Sequence, residues 1–219
     1  MKKILKYSKY AVITFITITG LYLINLFLMK PISIDHYLGK EVVMEMLDTP
    51  ETLTYLGILD PFNFITNHQS KLSDEGLEDL KEELEEMQQA KEILERYDDS
   101  KLSQQQSITK KIALYDLNNN IKQQEQFPFH SYPLNQIGGL HLNTIQFMTD
   151  IHPIRSNSEA AAYIDRLNML DEVFESKMEI LNAQKEAGIF PPRFVFDHVI
   201  RQLNEFLESS EGSNPIRDV

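Results

Sequence analysis

Nineteen consecutive uncharged residues, Ala11 to Met29, follow four lysines (Lys2, Lys3, Lys6 and Lys9) and are closed by Lys30-Pro31. A helix rises about 1.5 Å per residue, so such a run reaches roughly 28 Å, the depth of a bilayer's hydrocarbon core. Eleven of its members are Val, Ile, Leu or Phe. At about −0.3 to −0.6 kcal/mol each, they favour insertion by on the order of −3 to −7 kcal/mol. The smaller costs of Thr14, Thr17, Thr19 and Asn25 do not reverse that balance. The lysine cluster should remain in the cytoplasm as a basic tail, residues 1–10. Residues 11–29 then form a single transmembrane anchor, and everything from Pro31 onward lies outside the cytoplasm. A cleaved signal peptide is the rival reading. It calls for a shorter apolar core, about 7–15 residues, and a small-x-small cleavage site. No such pair follows Leu21. The chain has no cysteine, so a lipid-modified cysteine cannot anchor it, and disulfides and thiolate metal sites are excluded.

The 219 residues carry a net charge of −12, but the first thirty hold five lysines and no acid, leaving −17 for the remainder. Twelve acids face three bases between Ser73 and Asp99. Such a surface repels phosphate backbones and argues against nucleic-acid binding. A cation or basic partner could use the acidic run. The bland alternative, a solvated helix face opposite an apolar stripe, fits its periodicity.

Helical spacing dominates the rest. Asp35 to Leu47 reads as a short helix within a linker, 31–72, and residues 73–219 read as a helical domain. Ser73 is expected to open a long helix with Leu77, Leu80, Leu84, Met87, Leu94 and Tyr97 on one stripe, broken by Asp98-Asp99-Ser100. Ser103 and Gln106 fit a capping box, which opens a helix to about Gln126. Its Ile108, Ile112 and Tyr115 lie on one side, with Leu114, Leu117 and Ile121 on another, so burial between neighbours is expected. Phe129 to Arg155 lacks periodicity and reads as a long loop with a short helix inside Leu142–Asp150. Ser156 and Glu159 form a second capping box. Ile164, Leu167, Leu170, Phe174, Met178 and Leu181 should be the buried stripe of the helix behind it, which Gly188 ends. Pro191-Pro192 starts a last helix with Val195, Val199, Leu203 and Phe206 inward. No strand pattern is present, so the expected fold is all-α: a transmembrane helix followed by a bundle-like segment with one long irregular loop.

No motif specifies a reaction. His-Glu-x-x-His, the P-loop, the dinucleotide glycine pattern and the Gly-x-Ser-x-Gly elbow are all absent. His130, His141, Asp150 and His152 could offer zinc ligands from the irregular loop, but their spacing fits no helix face or ligand hairpin, and hydrogen bonds to nearby carbonyls are the default. Arg155 could clamp a carboxylate ligand or tie the loop to an acidic helix. Asn135 and Gln136 could present amides to a peptide-like ligand or satisfy the loop's own backbone. No catalytic, cofactor-binding or metal residue is assigned.

Three blocks, "NQIGG" from Asn135, "HPIRSNSEAAAYIDRL" from His152 and "AGIFPPRFVFDHVIRQL" from Ala187, resemble the N-terminal portion of the bacterial family called domain of unknown function 885. "TPETLTYLGI" from Thr49 and "YDLNNNI" from Tyr115 fit it more loosely, so the resemblance covers about residues 45–219. It implies a helical fold. Full-length members are similar to zinc metallopeptidases with a His-Glu-x-x-Pro-Gly-His-His motif downstream. No position here matches that motif, so zinc is implied only for full-length members and no cofactor for this chain. One expectation is therefore an anchored, extracytoplasmic segment of a metallopeptidase-like protein, from a truncated or split reading frame. It would not be catalytic by itself, and its catalytic C-terminal portion would be encoded separately. The other is a stand-alone anchored module that binds a partner or ligand. The lipid bilayer is a partner in both.

Overall fold

The computed structural model describes residues 2–129, 131–209 and 214–216, side chains of 2–6 and 8 excepted. Among these residues there is no strand, and helices account for the secondary structure, as the periodicity implied. The chain forms two compact units, Met1–Glu45 with Met87–Asn120, and Met46–Glu86 with Ile121–Val219.

In the first unit, α1 (Lys2–Leu28) contains the apolar run up to Leu28. Its stretch Lys9–Leu28 is long and apolar enough to cross a membrane, and none of it is buried. Asn25, an unfavourable residue in lipid, closes the helix. Its Nδ2 donates to the Lys30 carbonyl at 3.2 Å and its Oδ1 accepts from the Ile32 amide at 3.0 Å. α2 (Ile34–Asp48) buries Ile34 and Tyr37 against Leu94 and Tyr97, with Leu38, Ile93, Leu114 and Leu117 around them. The Tyr97 hydroxyl donates to the Pro31 carbonyl at 2.7 Å, and the Lys30 ammonium lies 4.1 Å from the centre of its ring.

α5 (Asp79–Glu95) and α6 (Gln104–Gln126) follow. Ser73 does not cap α5. Its amide and hydroxyl both donate to the Glu51 carboxylate, at 2.8 and 2.7 Å, and the helix begins six residues later. Ser73 is held instead by an acid 22 residues earlier in the chain. The capping box before α6 is present in both directions, Gln106 amide to Ser103 Oγ at 3.2 Å and Ser103 amide to Gln106 Oε1 at 3.0 Å. Burial on two sides of α6 is not found. Ile108, Ile112 and Tyr115 are 44, 63 and 73 % exposed, while Ile121 is buried and Leu114 and Leu117 pack on the core. Only one face of α6 is supplied with a partner among the described residues.

The second unit contains α3 (Pro50–Leu56), the single turn α4 (Asn63–Thr66), α7 (Leu140–Gln146), α8 (Asn157–Glu186) and α9 (Arg193–Glu208). The expected long loop is thus half helical: α7 runs into a π turn, Phe147–Ile151, marked by the His152 amide on the Phe147 carbonyl at 2.9 Å. Gly139 makes the entry to α7, because a Cβ there would sit 2.5 Å from the Asn135 nitrogen. In the second capping box Ser156 Oγ accepts from the Glu159 amide, but the Glu159 carboxylate reaches the amide of Arg155 instead of Ser156. The buried face of α8 differs from the expected stripe. Ile164 and Met178 are about half exposed, whereas Ala162, Tyr163, Arg166, Val173, Ile180 and Gln184 are buried. An arginine and a glutamine lie inward because each is satisfied by loop carbonyls.

Candidate functional site

Two features of the second unit stand out, a buried polar node and an apolar cavity. The node centres on Arg166, which is 0 % exposed. Its Nε donates to the Lys71 carbonyl at 2.8 Å, and Nη2 to Thr54 Oγ1 at 2.7 Å and the His68 carbonyl at 2.9 Å. Nη1 lies 2.6 Å from His152 Nδ1, and the guanidinium sits 4.6 Å from the centre of the Phe147 ring. Burial pulls Arg166 down to about 10, opposed by the charge of Glu51, so it remains a cation at neutral pH. Arginine only donates, so His152 Nδ1 must accept, and its Nε2 carries the proton that reaches the Glu159 carbonyl at 3.1 Å. Both nitrogens of His152 are therefore engaged. Burial holds this imidazole below its ordinary range, with the Glu159 carbonyl opposing and the Arg166 charge reinforcing. Nearby, His68 faces the Thr66 hydroxyl at 2.7 Å and Asp60 at 3.3 Å. Arg155 bonds Glu159 at 2.8 Å and Asp60 at 3.3 Å, tying the segment before α8 to α8 itself and to the turn after α3. The node is a clamp that joins loops to α8.

The second candidate forms where α8 ends. Gly188 takes φ +70, its amide bonds the Lys185 carbonyl, and the Ile189 amide bonds the Gln184 carbonyl, the paired pattern of a Schellman turn. That turn and Pro191-Pro192 reverse the chain so that α9 returns along α8. Gln184 supplies a third wall by donating to the carbonyls of Phe129 and Ser131 at 3.1 and 2.8 Å, and the Tyr132 hydroxyl donates to the Phe190 carbonyl at 3.3 Å. Between these walls lies a cavity of about 310 Å³ lined by Leu181, Phe190, Phe196, Val199 and Leu203, among others. Its volume falls at the lower end of the roughly 300–1,000 Å³ of small-molecule sites, and its apolar lining with a few polar groups matches their character. No nucleophile paired with a base is among its lining residues. Periodicity identified Val195, Val199 and Leu203 only as packing residues. Phe190 and Phe196, which lie outside the stripe of Val195, Val199 and Leu203, were the available signal.

Among the described residues, those singled out from the sequence do not converge. His130 lies outside the described residues. His141 Nε2 lies 3.0 Å from Gln202 Oε1, and since the Gln202 amide nitrogen donates to the Gln136 carbonyl, the ring must be the donor. Its Nδ1 is buried without a partner. The Asp150 carboxylate accepts from Thr149. Asn135 Oδ1 accepts from the amides of Ile137 and Gly138, so it serves its own loop. Among the described residues no three His, Asp or Glu side chains are grouped to hold a metal. With His152 engaged at both nitrogens and His141 offering a single lone pair, these residues do not fit the three or four ligands zinc requires.

Compared with known proteins, residues 50–218 match the family described as bacterial protein of unknown function (DUF885). No curated protein and no solved structure matches.

Proposed function

The chain belongs to the bacterial DUF885 family, and we propose that it serves there as a membrane-anchored, extracytoplasmic helical module that binds a ligand and has no hydrolytic centre of its own. The observation that carries the anchor is α1: a 20-residue apolar stretch, Lys9–Leu28, with none of it buried. The water-facing cost of so much apolar surface is relieved only by lipid or a partner, and its length suits a bilayer. The orientation rests on the positive-inside rule applied to Lys2, Lys3, Lys6 and Lys9. The binding role rests on the cavity between α8 and α9. Alkaline carbonate extraction of the full chain should leave it in the membrane pellet, and protease added outside the cytoplasmic membrane should digest the portion after Pro31. Recovery of the intact chain, leader attached, in the carbonate supernatant overturns the anchor.

A second reading, a segment of a metallopeptidase-like hydrolase, has one observation on its side. His141 is oriented by Gln202 with a buried lone pair left open, as metal-ligating histidines are oriented by outer partners. The remaining ligands and the catalytic groups would come from a separately encoded portion. Zinc-dependent peptide cleavage by this chain alone, lost on chelation, would contradict the non-hydrolytic module.

A further inference from the structure

We propose that the cavity between α8 and α9 binds a small carboxylate with an apolar body, its charged end at Lys185. The proposal rests on the ligand-binding reading above and names the ligand class.

Volume sets the size. A cavity of roughly 150 Å³ accommodates benzene, and this one, about 310 Å³, is twice as large. The occupant therefore has on the order of a dozen non-hydrogen atoms. The lining sets the body. Leu181, Phe190, Phe196, Val199 and Leu203 present branched and aromatic surface, and the backbone groups of the enclosing turn are already bonded to one another. Phe190, Phe196 and Ile200 are 57, 43 and 55 % exposed, so the cavity opens to solvent and a ligand can enter without unfolding.

Charge sets the head group. The whole chain carries −12, yet no acid lines this cavity. Lys185 is the single charged residue among those lining it, and it makes no ion pair with any described carboxylate. Placed in the last turn of α8, its ammonium already offsets the negative end of the helix dipole. The carbonyls that carry that end are covered by the Gly188 and Ile189 amides. The first turn of α9, with its dipole's positive end, contributes Val195 and Phe196 to the wall. Anions are therefore favoured at the mouth over cations, and the amide of Asn182, also in the lining, can donate a hydrogen bond beside Lys185.

The test uses the full chain in lipid nanodiscs, with empty nanodiscs as the blank and 13C-labelled Leu and Val methyls as reporters. 4-Phenylbutyrate should shift the methyls of Leu181, Val195, Val199 and Leu203 saturably, with a dissociation constant on the order of 1 mM for twelve non-hydrogen atoms. 4-Phenylbutanol should bind about three- to fivefold more weakly, the increment expected of one exposed ion pair, and 4-phenylbutylamine more weakly still. Lys185→Gln should remove the preference for the acid and leave the alcohol unchanged. Leu203→Trp, which fills the cavity, should abolish the shifts. Alcohol and acid binding equally to the unaltered chain would overturn the assigned head group while leaving a binding cavity. Absence of any saturable shift by 10 mM, or shifts that survive Leu203→Trp, would overturn the site itself. Membrane attachment is read separately by carbonate extraction, so the two proposals fail independently.

Discussion

Replacing Arg166 by methionine is the sharpest perturbation the second unit allows, because nearly every consequence of the change can be enumerated. Methionine has similar reach but no donor. His152 Nδ1 then faces a buried site with no hydrogen to accept, since its only donor was Nη1 at 2.6 Å. An orphaned buried acceptor costs about 1–3 kcal/mol. The His68 carbonyl keeps the Lys71 amide and loses Nη2, while the Thr54 hydroxyl still donates to the Pro50 carbonyl. The Lys71 carbonyl, bonded to Nε in a part-buried setting, can rehydrate. Hydrogen bonds to a charged group are worth about 1.5–3 kcal/mol each, and deleting the guanidinium also removes its own desolvation cost. The net loss is about 3 kcal/mol. For a protein of this size 1 kcal/mol moves Tm by about 2–4 °C, so the transition should fall by roughly 6–12 °C. Differential scanning calorimetry of the full chain in nanodiscs reads this directly. The sharper signature is coupling: Thr54→Val, harmful alone, should add little on top of Arg166→Met because both act through one guanidinium. A methionine variant melting within 2 °C of the parent, or fully additive losses, would refute the clamp.

Other outcomes follow from the same geometry. His152 is held neutral in the fold, below its ordinary range, chiefly by burial. A lowered histidine favours folding above the unfolded value, about 6.5, and that stability is lost as pH falls from there toward the folded value. Tm measured from pH 7.5 to pH 5 should therefore drop, and His152→Gln should flatten that slope even if it lowers Tm overall. Gly139→Ala forces a Cβ to within 2.5–2.6 Å of the Asn135 backbone and should cost about 1–3 kcal/mol in urea unfolding. Gly188→Ala, strained by φ +70 but open to solvent, should cost only about 1 kcal/mol. Paired Ile16→Arg and Leu21→Arg changes place two charges in the apolar run at about 2.5–3.5 kcal/mol each, enough to cancel its insertion energy. The chain should then leave the carbonate pellet. Because no described cluster suits zinc, chelation should leave Tm unchanged within about 1 °C; a larger fall would reveal a structural metal.

What the sequence disclosed and what it withheld have a common physical origin. Signals confined to a few adjacent residues were legible: the Ser103–Gln106 box, the Gly188 turn and the run within α1 all depend on local backbone geometry or summed transfer energy. Helical period was legible too, but period alone fixes a face only when the partner surface is known. On α8 that failed, since the inward positions include Arg166 and Gln184, whose partners are carbonyls at 68, 71, 129 and 131. A main-chain carbonyl carries no side-chain identity, so nothing in the residue types at 68 or 71 marks them as acceptors for an arginine 98 and 95 residues later. The same reasoning explains Ser73. Glu51, 22 residues earlier, accepts from both of its donors, and nothing local to Ser73 marks that partner. The cavity follows from these same long-range bonds. Gln184 turns inward to hold the carbonyls of Phe129 and Ser131, which keeps that loop against α8 while the Gly188 turn returns α9 beside it. Replacing Gln184 by leucine would keep the apolar surface and remove the tether. Phenylbutyrate shifts should then weaken although every methyl that lines the site is retained; unchanged binding in that variant would show that the α8–α9 corner forms the site without the loop.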